Sequence, residues 1–183
     1  MRISEDRYER DRQRLELALR FLTHEARTQT IRAWTGLSGD RIRKLYRAYL
    51  SRAACYVPRH RGKSPHQAAY FTRSLRIQLE TAVLASCFAL SGLLPAEPSA
   101  AAGAALPDIA HGNCLCTAFE AYATLILAPS ISFEYAVFLA ECLARGDQLR
   151  LGWCCDCGGM IVVERFPIRE KRCHHCTGGA SQR

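Results

Sequence analysis

Ten cysteines stand in this chain of 183 residues, and four of them have a spacing that can do chemistry. Cys154-Cys155-Asp156-Cys157-Gly158-Gly159 is followed by Cys173-His174-His175-Cys176, which gives C-x2-C-x15-C-x2-C with Cys154, Cys157, Cys173 and Cys176 as ligands. Two intervening residues let both sulfurs of a knuckle face one ion, and a connection of about 15 to 20 residues fits a short hairpin. Gly158 and Gly159 permit a tight turn after the second ligand, where backbone N–H groups can donate to thiolates. The pattern predicts one Zn2+ per chain. Two compact pairs suit tetrahedral zinc better than an iron–sulfur cluster, and buried free thiols are the plain alternative. Four thiolates close the shell and leave no position for a reacting water, so the ion is expected to be structural. Cys155 has no partner at ligand spacing, and His174 and His175 are expected to point outward.

Other chemistry is scarce. Cys87 and Cys142 fall in apolar stretches and read as core residues. Cys55, Cys114 and Cys116 have no ligand-like pairing. The chain contains no GxGxxG after a strand, no Walker P-loop and no GxSxG elbow, and His24, His60, His66 and His111 are scattered without a catalytic grouping around them. An enzyme is not expected.

The elements that must carry these residues are mostly helices. Apolar residues at Leu15, Leu19, Leu22, Ala26 and Ala33 mark an amphipathic helix from about Glu5 to Ala33, with Ser4 as its N-cap. Thr35 to Asp40 is a turn, and Ser38 can cap a helix over 39–51 that places Ile42, Leu45, Tyr46 and Tyr49 on one side. Pro58 to Pro65 is a basic loop, 68–94 a helical block and 95–107 an Ala/Pro/Ser/Gly loop. Helices follow near 109–128 and 133–144, with Gly146 beside the last cap. No strand alternation is evident before Met160 to Val163, the outgoing strand of the cysteine hairpin. The expectation is a mainly α fold: a helical domain over 1–150 and a small C-terminal four-cysteine zinc-binding hairpin module over 151–183.

Charge divides the chain further. Residues 1–63 hold 16 Lys+Arg against 7 Asp+Glu, residues 64–149 hold 3 against 7, and residues 150–183 hold 6 against 3. Basic ends around a mildly acidic, apolar middle point to an anionic partner, and Arg, which supplies nearly all the charge, suits bidentate phosphate contacts. The segment 27–50 resembles a helix–turn–helix, with Arg41, Arg43, Lys44 and Arg47 as candidates for phosphate or base contact. Arg32 stands where a small buried residue is usual in that motif. The same pattern also describes an ordinary helical hairpin with a solvated basic face. Arg165, Lys171 and Arg172, beside the second cysteine pair, are the other candidate DNA contacts, and they are near enough in sequence to offset thiolate charge.

Three stretches in this order resemble the FlhC family, the flagellar master transcriptional regulator subunit of bacteria. Gly36-Leu37-Ser38 through Arg41-Ile42-Arg43-Lys44-Leu45-Tyr46 is similar to that family's "LS…RL.KLY" motif. Pro65 with Tyr70-Phe71 matches its proline and aromatic pair after a Pro/Lys/Gly-rich loop, and Cys154, Cys157, Cys173 and Cys176 match its four-cysteine site. The resemblance runs from about Leu15 to Cys176. It implies assembly with FlhD, as a heterohexamer of four FlhD and two FlhC chains. That complex binds promoter DNA and, with RNA polymerase, activates flagellar (class II) and other operons.

The charged N-terminus has no apolar segment of a secretory signal, and the longest apolar run, Ala82 to Leu94, is 13 residues, too short to span a bilayer. A cytoplasmic protein with no membrane contact is therefore expected, and structural disulfides are rare in that compartment. A different class of function stays open: a zinc-stabilised module that docks a protein and never touches DNA.

Overall fold

The computed structural model describes residues 2–50, 57, 58, 60, 62–94, 106–166 and 171–179. Among these the protein is mainly helical, with one two-stranded ribbon near the C-terminus. Among the described residues no helix is long and apolar enough to cross a membrane.

The first expected helix is two. Helix α1 (Arg2–Thr23) is already under way before Ser4, which therefore lies inside it, and α2 (Thr28–Thr35) begins after a sharp break. The break is a helix-ending turn of the Schellman type: Ala26 N–H donates to Phe21 O and Glu25 N–H to Leu22 O, with Glu25 at φ 62°. Glycine usually holds that position, so a Glu there conceals the stop. The buried stripe of α1 is Leu17, Ala18, Phe21 and Leu22, while Ala33 on α2 is exposed.

Helix α3 (Gly39–Tyr49) starts where Ser38 predicts, and Ser38 Oγ accepts the Arg41 N–H at 3.3 Å. Gly36 takes φ +69° at the end of α2, with no side chain near enough to obstruct it. Ile42 and Tyr46 are buried, Leu45 is half-buried and Tyr49 is exposed.

The expected 68–94 block divides into a 3-10 turn (Ala68–Thr72) and α4 (Leu75–Leu90), which Ser74 caps through Ile77 N–H. Helices α5 (Ile109–Leu125) and α6 (Phe133–Arg145) complete the body. Gly112 lets α5 approach α1 and α2: a Cβ there would lie 2.6 Å from a Leu17 methyl and 3.3 Å from the Trp34 ring. Phe21, Phe119, Phe133 and the His24 ring form the aromatic centre, with His24 stacked on Phe133 at 5.0 Å. Cys87, Cys116 and Cys142 are buried, and burial pushes the Cys116 thiol up to about 12 and that of Cys142 to about 11.

The ribbon supplies the main departure from the sequence reading. A strand β1 (Leu149–Trp153) precedes β2 (Met160–Glu164), antiparallel, with Leu151 opposite Val162 and Gly152 opposite Ile161. Leu149, Leu151 and Trp153 alternate with Arg150 and Gly152, but the run is only five residues long and its Trp153 end is exposed, so the alternation is too short to stand out. The 150/151 division falls inside β1. The short helix α7 (His174–Gly179) follows, and both β2 and α7 pack on α4.

Residues 95–105 of the expected 95–107 loop, Cys55, Ser51 at the end of the expected 39–51 helix, and Arg59 and Arg61 of the basic loop lie outside the described residues.

Candidate metal centre and basic face

The ribbon has two faces with different duties. Leu149, Leu151, Met160 and Val162 join the helical core, and Ser86 Oγ on α4 lies 3.8 Å from Met160 Sδ. Ile161 and Val163, on the other face, are buried with Cys154 against Cys173 and Cys176. A Cβ on Gly152 would stand 3.2 Å from a Val163 methyl, so glycine keeps the sulfur-facing side open for Val163 and Ile161.

Around this second face the four expected ligands converge. The sulfurs of Cys154, Cys157, Cys173 and Cys176 all lie within 4.8 Å of one another. Cys157 and Cys173 Sγ are 3.6 Å apart. Four sulfurs at about 2.3 Å from a tetrahedral ion would be separated by about 3.8 Å, so the cluster fits one cation of that kind. The first knuckle closes through Gly158 N–H to Cys154 O at 2.9 Å and Cys154 N–H to Gly159 O at 2.8 Å, with Gly158 at φ +69°. N–H groups of Cys157 and Cys173 bring the Cys154 thiol down to about 6, the second of them donating to its sulfur at 3.3 Å. The Cys176 thiol is pushed up by hydrogen bonding with Cys173, by burial and by the other two sulfurs.

Cys155 is exposed and stands outside the cluster, next to the Arg172 guanidinium. Arg172 Nε also donates to Asp156 at 3.0 Å, a pair that links the two cysteine knuckles. His175 is exposed as expected. His174 is not: it is half-buried and lines a cavity of about 160 Å³ with Thr72, Gln78, Ala82 and Lys171, where α7 meets α4. Three of the scattered histidines find acids in the fold, His24 with Glu120, His60 with Glu25 and His111 with Asp108, the N-cap of α5.

The residues expected to meet DNA fall on two separate surfaces. Arg41, Arg43, Lys44 and Arg47 all lie on the solvent side of α3. Arg41 forks onto Asp11 of α1, and Arg43 pairs with Asp40 one turn earlier on its own helix. Arg32 is exposed, not buried, and with Gln29, Gly36 and Ser38 it lines a shallow depression at the α2–α3 turn. The position that counts against a helix–turn–helix therefore costs the core nothing. On the ribbon side Arg165 lies 5.2 Å over the Phe166 ring, and Lys171 and Arg172 are exposed.

Two buried carboxylates brace this arrangement, and no local sequence signal marks either. Glu134 on α6 accepts the Arg27 N–H at 2.8 Å and the Thr30 hydroxyl at 3.0 Å, so it caps α2 where Arg27 has no capping side chain. Glu80 on α4 accepts from Tyr122 Oη at 2.5 Å, Ser130 N at 2.7 Å, Ser130 Oγ at 2.9 Å and Arg76 Nε at 2.9 Å. Burial opposes its ionisation, but these donors outweigh burial and bring the carboxyl down to about 2. Neither is an unpaired acid poised for catalysis. Both hold loops.

No family model matches this chain, and neither does any curated protein.

Proposed function

We propose that this chain is the DNA-binding subunit of an FlhC-type transcriptional activator. In this reading it assembles with FlhD, four FlhD to two of this chain, and acts with RNA polymerase at flagellar promoters in the cytoplasm. The observation that carries the reading is the α2–α3 hairpin: a helix capped by Ser38, anchored by Ile42 and Tyr46, with Arg41, Arg43, Lys44 and Arg47 all on its solvent side. These residues coincide with the "LS…RL.KLY" resemblance, and the four clustered sulfurs coincide with the family's cysteine site. The ion is Zn2+, which suits four thiolates in a closed tetrahedral shell, and its work is structural. No catalytic step is assigned.

Co-expression with FlhD followed by footprinting on flagellar promoter duplexes tests this directly. The expected result is a stable complex, protection of a defined site, and a log K that falls steeply with log salt as phosphates are contacted. A chain that neither joins FlhD nor protects DNA at low salt overturns the reading.

One observation favours the protein-docking alternative. Leu127 and Leu90 are 94% and 88% exposed, at the α5–α6 loop and the end of α4, apolar tips that a partner protein would cover. Partner binding with little salt slope, and no DNA protection, is the outcome that selects it.

A further inference from the structure

We propose that Asp11 regulates the DNA-binding face by competing with phosphate for Arg41. This inference rests on the reading of α3 as that face. Asp11 belongs to α1 and Arg41 to α3, and the two helices are in contact. Arg41 Nη1 donates to Asp11 Oδ1 at 3.0 Å and Nη2 donates to Oδ2, so both terminal nitrogens of the guanidinium point at one carboxylate. That end-on edge is one with which Arg takes two oxygens of a phosphate. A carboxylate and a phosphate cannot fill it together.

The pair is built to yield. The Arg41 and Asp11 side chains are 46% and 37% exposed, and a salt bridge in water contributes little that a phosphate could not replace. The Asp11 carboxylate is charged at neutral pH, and the Arg41 guanidinium beside it lowers its value further. The neighbouring Asp40–Arg43 pair differs in kind. Asp40 lies on α3 itself, three residues away and largely exposed, and it travels with the helix. Asp11 is presented from a second helix whose Leu17, Ala18, Phe21 and Leu22 are fixed in the core. Any duplex that engages Arg41 must displace Asp11 and then bear its charge beside the backbone. That penalty applies to every sequence alike, so it lowers non-specific phosphate binding and leaves discrimination to the other contacts.

The test uses the chain co-expressed and purified with FlhD and a labelled mixed-sequence duplex of about 24 base pairs, titrated between about 50 and 200 mM KCl, the range over which phosphate contacts change affinity most visibly. Asp11→Asn, nearly isosteric, is expected to tighten binding about three- to tenfold and to steepen the salt slope by about 0.9, one additional phosphate contact. In an Arg41→Ala background the same substitution should give a much smaller gain, from the lost Asp11 charge alone, with no steepening of the salt slope. Asp11→Ser provides a second route to the same loss of charge, and thermal melting checks that each variant is folded. Salt-dependent binding by the parent chain with no gain in either Asp11 variant overturns the inference and leaves the DNA-binding reading standing. Weaker binding by Asp11→Asn also overturns it, because Asp11 would then orient Arg41 for its contact. No salt-dependent binding by any variant brings down both.

Discussion

The C-terminal hairpin closes on four sulfurs from Cys154 to Cys176, all within one short stretch of chain, whereas the α2–α3 hairpin is capped by Glu134, 107 residues from the backbone it serves. Both solve the same problem, which is to fix a small two-element unit on a helical body. The first uses soft ligands suited to a cation, and the second a buried carboxylate and an apolar stripe. The contrast teaches where a fold can be read from a string of letters. Ligands that share an ion must be near one another in sequence or announce themselves by type, because few residues bind metals. A carboxylate that caps a distant helix looks like any other Glu.

Disrupting the four-sulfur cluster, with the zinc proposed for it, should sharpen this contrast most. Structural zinc contributes on the order of 10 kcal/mol or more to the folding of such units. Cys154→Ser with Cys157→Ser is therefore expected to abolish binding of one equivalent of metal and to expose the ribbon to protease. The helical body should keep most of its helical circular dichroism. Because β2 and α7 pack on α4, its melting temperature should nonetheless fall by several degrees. Full metal retention by the double variant would break the comparison at its first term.

Glu80 supplies the next largest effect. Glu80→Ala leaves the Tyr122 hydroxyl, the Ser130 N–H and Arg76 without their acceptor and should cost about 3 kcal/mol, read by denaturant unfolding. Its folded-state value of about 2 lies below the ordinary 4.5, so the stabilisation is complete above pH 4.5 and is lost as pH falls toward 2. The variant should lack that part of the acid limb. An unchanged acid profile would mean that Glu80 is not the carboxylate holding the α5–α6 loop.

Glu134→Ala should cost less, about 1–2 kcal/mol, by removing the cap of α2. Its sharper readout is local: amide exchange of the first turn of α2 should accelerate while the ribbon stays protected. Cys155→Ser should do least, retaining a full equivalent of metal, since Cys155 lies outside the four-sulfur cluster. Loss of metal in that variant would redraw the ligand set.

Legibility follows the range of each interaction. The four clustered cysteines, the Ser38 cap and the start of α3 are all readable because cause and effect lie within a few residues or are marked by residue type. The end of α1 is not, because Glu25 holds the left-handed position that glycine normally marks. β1 escapes because its alternation of Leu149, Leu151 and Trp153 spans only five residues, and its need for a small residue at Gly152 arises from Val163 on the partner strand. Asp11 escapes because its partner is on another helix. Arg32 departs from the motif template without cost, because its side chain faces solvent.

The two-faced ribbon has a consequence for how this chain can vary in length. Side chains alternate, so deleting or inserting one residue within β2 would turn Ile161 and Val163 toward α4 and deliver Met160 and Val162 to the cysteines. Both packing surfaces would be lost at a stroke. An added pair of residues would preserve the faces and shift only the pairing. The strand thus counts by twos, and single-residue drift is expected to be rejected there far more severely than most substitutions.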